Sequence, residues 1–126
     1  MSEVEKILLV DDEPSIRESV QAYLSYNENW QVEVASDVKQ AWDKINQQTP
    51  DLIVSDIMMP EVDGYEVCQF IKSNPEMAHI KVVFLSAKSK EEDIAKGYSL
   101  GADLYLTKPF STRNLMKEIK SLSEVV

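Results

Sequence analysis

Residues 7–14 read ILLVDDEP: four large apolar side chains running straight into three acids and a proline. An apolar run this short, closed by turn-forming polar residues, reads as a buried strand rather than a helix. Neighbouring carboxylates repel, and burial is where that repulsion is screened least. Something must meet those charges at the end of the strand.

Working outward, five apolar segments recur: KILLV (6–10), QVEVA (31–35), DLIVS (51–55), KVVFLS (81–86) and LYLT (104–107). Three are nearly continuous runs of Val, Ile and Leu, the pattern of parallel strands covered on both faces. Between them the apolar spacing turns helical. Ile16, Val20, Tyr23 and Leu24 form one stripe, with Pro14 suited to its first turn; Val38, Ala41, Trp42 and Ile45 form a second. Val67, Phe70 and Ile71 follow Asp63-Gly64, a pair that could open a hairpin but is followed here by helical spacing. Ser89 and Glu92 have capping-box spacing before a fourth helix carrying Ile94 and Tyr98, and Gly101 is placed to end that helix in a left-handed conformation. A fifth follows Ser111 with Leu115, Ile119 and Leu122.

Strand and helix thus alternate five times, which predicts an α/β fold: a flavodoxin-like (βα)5 doubly wound parallel sheet with helices on both faces. The fold class supplies the strand order 2-1-3-4-5, with its switch point between the first and third strands.

The chain has 126 residues, 44% hydrophobic, enough for one domain with one core over residues 1–126. MSEVEK carries no apolar stretch, so no signal peptide is expected. The runs ILLV and VVFL are too short to cross a bilayer. The single cysteine, Cys68, cannot make an internal disulfide, which favours a cytoplasmic setting. A net charge of -9 argues against direct binding to nucleic acid or an anionic membrane.

Ligands in such sheets sit beyond the carboxyl ends of the strands. Those ends carry Asp11, Asp12 and Glu13, then Asp56, then Ser86, then Thr107 and Lys108. With the first and third strands adjacent, Asp11, Asp12 and Asp56 share a corner. Two charges about 4 Å apart interact by roughly 4 kcal/mol at an effective dielectric of about 20. The corner would therefore hold protons, a cation, or both. Oxygen-only ligands suit Mg²⁺, with Mn²⁺ as the alternative, rather than zinc. His79, the only histidine, falls before the fourth strand and reads as a surface residue. Lys108 can reach back as a point charge for carboxylate or phosphate. A metal, a lysine, the Ser86 hydroxyl and a carboxylate make a phosphoryl-handling site, with Asp56 able to act as nucleophile.

Four motifs in order, VDDE (10–13), SDIMMPEVDGYE (55–66), LSA (85–87) and GADLYLTKPF (101–110), make the chain resemble the receiver domain of bacterial two-component response regulators over essentially its whole length. The single-domain, chemotaxis-regulator type is the expected form, although an end at SLSEVV fits a stand-alone receiver or a piece of a longer regulator. The resemblance implies that Asp56 is the phosphoacceptor. It implies that Mg²⁺ is held by Asp12 directly, by Asp11 mainly through water, by Asp56 and by the backbone carbonyl of Met58. Lys108 would pair with the acceptor, and Ser86 would donate to a phosphoryl oxygen. Tyr105 would turn inward as a switch, and Pro109 would follow a cis peptide bond. Met58 and Lys88 would flank the path of an attacking water, giving a long-lived phosphoryl group.

By the same resemblance the chain is a self-phosphorylating and autodephosphorylating switch rather than a turnover enzyme. Its donor would be a histidine kinase or phosphotransfer protein. Its downstream protein partner would dock on the fourth helix, fifth strand and fifth helix, around Lys88, Lys90, Glu91, Tyr105 and Lys117, and phosphorylation could drive a homodimer. Three rivals compare poorly or make a distinct prediction. A flavodoxin-type flavin binder needs a phosphate loop of Gly, Ser and Thr after the first strand, where this chain has acids. An aspartyl-phosphate phosphatase wants a second acid two residues after its nucleophile, where Met58 stands. A degenerate receiver acting only as a docking module would fail to label at Asp56 with acetyl phosphate.

Overall fold

The computed structural model describes residues 6–56, 58–59, 62–88 and 90–124, with backbone alone at 58, 59, 62–64, 66, 123 and 124. The long strands are β1 (Lys6–Val10), β2 (Gln31–Ala35), β3 (Leu52–Asp56), β6 (Lys81–Ser86) and β7 (Leu104–Thr107). They form one parallel sheet in the order β2-β1-β3-β6-β7, which is 2-1-3-4-5 when these five are counted along the chain. The helices are α1 (Pro14–Leu24), α2 (Val38–Gln47), α3 (Gly64–Ser73), α4 (Glu91–Ser99) and α5 (Thr112–Glu124).

The opening run is continuous because alternate residues of β1 enter different cores. Leu8 and Val10 pack with Ile53, Val82 and Phe84 beneath Ala41 and Ile45 of α2 and Cys68 and Ile71 of α3. Ile7 and Leu9 pack with Val54, Val83 and Leu85 beneath Val20 and Leu24 of α1 and Leu115 and Ile119 of α5. Burying an aliphatic side chain stabilises by about 1.5–3 kcal/mol, so a charge placed anywhere from Ile7 to Val10 would break one core or the other.

Local signals set the element ends. Pro14 occupies the first turn of α1. Asp37 caps α2 by accepting from the Gln40 N–H at 2.8 Å, and Ser111 Oγ accepts from the Asn114 N–H at 3.2 Å at the start of α5. Gly101 has φ 105°, the left-handed value expected after α4.

Three details differ from the sequence expectation. First, β3 runs one residue later than DLIVS, so Asp56 is its last rung, opposite Leu85. Second, a two-residue antiparallel ladder joins β4 (Met58–Met59) to β5 (Val62–Asp63) just before α3; segments this short carry no alternation to read. Third, α4 begins at Glu91 behind Lys90, which makes no side-chain cap. Ser89 lies outside the described residues. Glu91, Glu92 and Asp93 fill the first turn and complement the helix dipole instead.

Candidate functional site

The register aligns the carboxyl ends of the strands: Val10 stands opposite Ser55, Asp56 opposite Leu85 and Ser86 opposite Thr107. Asp11 extends the β1 ladder, its N–H donating to Ala35 O at 3.1 Å, and it is fully buried. Its Oδ1 accepts from the Glu13 N–H at 2.9 Å, and its carbonyl accepts from Arg17 Nη1 at 2.8 Å. Asp56 is buried as well, while Asp12 and Glu13 are exposed.

Lys108 meets these acids. Its N–H donates to Ser86 O at 2.7 Å, which fixes the start of the side chain. Its Nζ then donates to Asp56 Oδ2 at 3.0 Å, Asp11 Oδ2 at 3.2 Å and Glu13 Oε1 at 3.2 Å. The Lys108–Pro109 bond is cis. Two of the three acids that close the opening run, Asp11 and Glu13, are therefore met by one ammonium from the far end of the chain. Sequence reasoning singled out Asp56 as the partner of Lys108, gave Asp11 a place at the metal, and gave Glu13 no role. The signal for Glu13 was weak: it immediately precedes Pro14 at the start of α1, where an acid is commonplace.

Burial pulls the Lys108 ammonium toward losing its proton. The hydrogen bond to Asp56 and the charges of Asp11 and Asp56 outweigh that, helped by Glu13, and hold its pKa above the usual value. Burial pushes the Asp11 carboxyl up, and the Glu13 N–H and Lys108 offset this only in part. A buried acid with a raised pKa beside other carboxylates gains from a nearby cation.

One carboxylate oxygen from each of Asp11, Asp12, Glu13 and Asp56 lies within 4.8 Å of the others. Even with Arg17 and Lys108 counted, the acids outnumber the cations. An all-oxygen donor set with excess negative charge fits a hard divalent ion such as Mg²⁺. Met58 pairs with Asp63 through its backbone, and its side chain lies outside the described residues.

Ser86 is fully buried and its Oγ accepts from the Lys88 N–H at 3.0 Å; a hydroxyl that accepts can still donate. Tyr105, expected to turn inward and to lie on the face of the fourth helix, fifth strand and fifth helix, is buried at 7% exposure against Phe84, and its OH donates to Lys88 O at 2.8 Å. Tyr98 is the exposed aromatic there, and Lys90, Glu91 and Lys117 are exposed as expected. His79 is on the surface. Among the described residues no helix is long and apolar enough to cross a membrane.

Residues 7–120 match the family model described as the response regulator receiver domain. The response regulator Rre1 of Synechocystis sp. is 41% identical over 122 residues, covering 97% of this chain and 53% of that protein. The alkaline phosphatase synthesis transcriptional regulatory protein PhoP of Bacillus subtilis is 42% identical over 120 residues, covering 93% of this chain and 48% of PhoP. The chain thus spans about half the length of these relatives. A solved receiver domain of a DNA-binding response regulator from Colwellia psychrerythraea superposes with a TM-score of 0.89 at 28% identity, covering 94% of this chain and 98% of that one. With the motifs at the strand ends, these matches show that the chain belongs to the response regulator receiver family.

Proposed function

We propose that this chain is a phosphorylation-controlled switch that accepts a phosphoryl group on Asp56. The observation that carries the reading is the Lys108 ammonium 3.0 Å from the buried Asp56 carboxylate. With its pKa held high, that lysine stays a fixed cation beside the nucleophile and is no base. In the transfer, an Asp56 oxygen bonds to phosphorus as the N–P bond of a phosphohistidine donor breaks, and the imidazole nitrogen keeps the electron pair. Asp11, Asp12, Asp56 and the backbone carbonyl of Met58 would hold Mg²⁺. When bound, that ion offsets charge on the transferring group.

Ser86 donates its hydroxyl proton to a phosphoryl oxygen and draws in the loop that carries Lys88. The Lys88 carbonyl is tied to the Tyr105 hydroxyl, so the loop and the buried ring move as one. Buried Tyr105 is the signalling arrangement, which the phosphoryl group favours by differential interaction. Hydrolysis by water returns the carboxylate, so the protein cycles as a switch and not as a turnover enzyme.

The donor is a histidine kinase or phosphotransfer protein. The output is a protein partner, or a second copy of the chain, on the face made by α4, β7 and α5. The buried free thiol of Cys68 suits the cytoplasm. Residues 1–126 form one receiver domain. The matched relatives are about twice as long as this chain, and immunoblotting the native gene product separates a stand-alone, chemotaxis-type receiver from a longer regulator by size.

Calorimetry with beryllofluoride and Mg²⁺ tests the reading. The expected result is one binding site in the wild type that Asp56→Asn abolishes. Absence of binding in the wild type, the prediction of the docking-module alternative, would contradict it.

A further inference from the structure

Three aromatic rings lie in a row under α4. Tyr65 of α3 rests edge to face on Phe84 of β6 with centroids 5.7 Å apart, and Phe84 rests in the same way on Tyr105 of β7 at 6.2 Å. The two outer rings end in hydroxyls that bind main chain at the start of α4. Tyr105 OH donates to Lys88 O at 2.8 Å in the lead-in loop, and Tyr65 OH donates to Asp93 O at 3.1 Å in the first turn. Lys96, also on α4, holds its ammonium 4.6 Å from the centroid of the Tyr65 ring. Tyr98 OH accepts the Tyr105 N–H at 3.1 Å.

Tyr65 therefore holds α4 twice, once through its hydroxyl and once through its ring, and neither contact involves the acidic corner. Both contacts tie α4 down over the sheet, where its Gly97 lies against the Tyr105 ring. We infer that Tyr65 is a positioning residue: it holds α4 in the arrangement that keeps Tyr105 buried and so raises the affinity of the distant site for its phosphoryl group. The inference rests on the receiver reading above. Coupling of this kind is reciprocal: a contact made only in the signalling arrangement must strengthen binding of the group that favours that arrangement.

The test is beryllofluoride titration in the presence of Mg²⁺. Tyr65→Phe keeps the ring on Phe84 and under Lys96 but removes the hydroxyl. A hydrogen bond of ordinary strength predicts beryllofluoride affinity weaker by about five-fold, with affinity for Mg²⁺ alone unchanged. A merely structural role would lower the melting temperature without separating the two ligands. Lys96→Met should weaken beryllofluoride binding by about two- to five-fold through loss of the nearer cation over the ring, Lys88 standing farther off at 5.9 Å, and Lys96→Arg should restore it. In amide NMR spectra of the ligand-free Tyr65→Phe protein, the Lys88 and Tyr105 signals should move away from their beryllofluoride-bound positions.

A folded Tyr65→Phe that binds beryllofluoride as tightly as the wild type, or more tightly, overturns the inference and leaves the receiver reading standing. Where Tyr65→Phe does not fold, wild-type affinity in Lys96→Met overturns it equally. A wild type that takes no beryllofluoride removes the receiver reading itself, and this inference with it.

Discussion

Glu13 and Lys108, 95 residues apart in the chain, meet at 3.2 Å on the rim of the acidic corner. Glu13 is half-exposed, whereas the other two carboxylates on the same ammonium, Asp11 and Asp56, are buried. Exposure decides how much each contact stabilises. Glu13→Gln should change folding stability by less than about 1 kcal/mol, as exposed pairs do. Lys108→Met should cost about 3–5 kcal/mol, because it removes the cation that two buried carboxylates share. Urea unfolding of both variants checks the contrast, and added Mg²⁺ should raise the midpoint of Lys108→Met more than that of the wild type. Equal costs for the two variants would place the charge balance elsewhere.

Gly97 is the buried residue of α4, and a Cβ built there would stand 2.8 Å from Tyr105 Cδ2. A rigid aromatic ring cannot yield at that distance without moving. Gly97→Ala should therefore destabilise by about 1–3 kcal/mol through overpacking, although alanine is the better helix former. Trimming the ring with Tyr105→Val should cancel most of the penalty in the double variant. Thermal unfolding of the four proteins in the cycle gives the coupling, and additive effects would refute the steric account.

At the opposite end of the sheet, Lys72 Nζ donates to Ile80 O at 2.7 Å and to Asp103 Oδ2 at 3.0 Å. The same Asp103 oxygen accepts the Val82 N–H at 2.8 Å. Lys72→Met should cost about 1–3 kcal/mol by leaving these partly buried acceptors short of a donor. Gly101→Ala faces both its left-handed backbone, a penalty of about 1–2 kcal/mol, and Lys72 Cγ 2.7 Å from the new Cβ. Its cost should shrink in a Lys72→Ala background, where that carbon is absent. Denaturant midpoints measure both effects.

Burial pushes the Cys68 thiol up to about 11 from an ordinary 9.0, with Lys72 opposing and Asp103 adding to the shift. The folded state thus holds the proton more tightly than the unfolded chain. The resulting stability is present below pH about 9 and is lost as pH rises through about 11. Cys68→Ala should flatten that part of the stability–pH curve relative to the wild type. At neutral pH the native thiol should react with a disulfide reagent far more slowly than the urea-unfolded chain, and equal rates would count against its burial.

The sheet was legible because most of its strands are apolar runs that end abruptly in polar residues. Asp11, Asp56, Ser86 and Lys108 could be placed at one edge from those ends alone, once the order 2-1-3-4-5 was assumed. What escaped had no pattern to betray it. Glu13 looks like any acid at a helix start. The β4–β5 ladder is too short to alternate. Gly97 sits unannounced inside a helix, and only the proximity of Tyr105 gives it meaning. Phe70 follows the core stripe of α3 yet is 54% exposed, its ring set at a steep angle to that of Trp42 on the neighbouring helix. Helical spacing names the face of a residue, but the neighbour decides how much of it is covered.

Intact-mass spectrometry after incubation with acetyl phosphate and Mg²⁺ probes the acidic corner most directly. The wild type should gain the mass of one phosphoryl group, mapped to Asp56, and should gain none when the divalent ion is chelated. Asp56→Asn should stay unlabelled. An unmodified wild type, or a phosphoryl group mapped to any other residue, would contradict the assignment of Asp56 as acceptor.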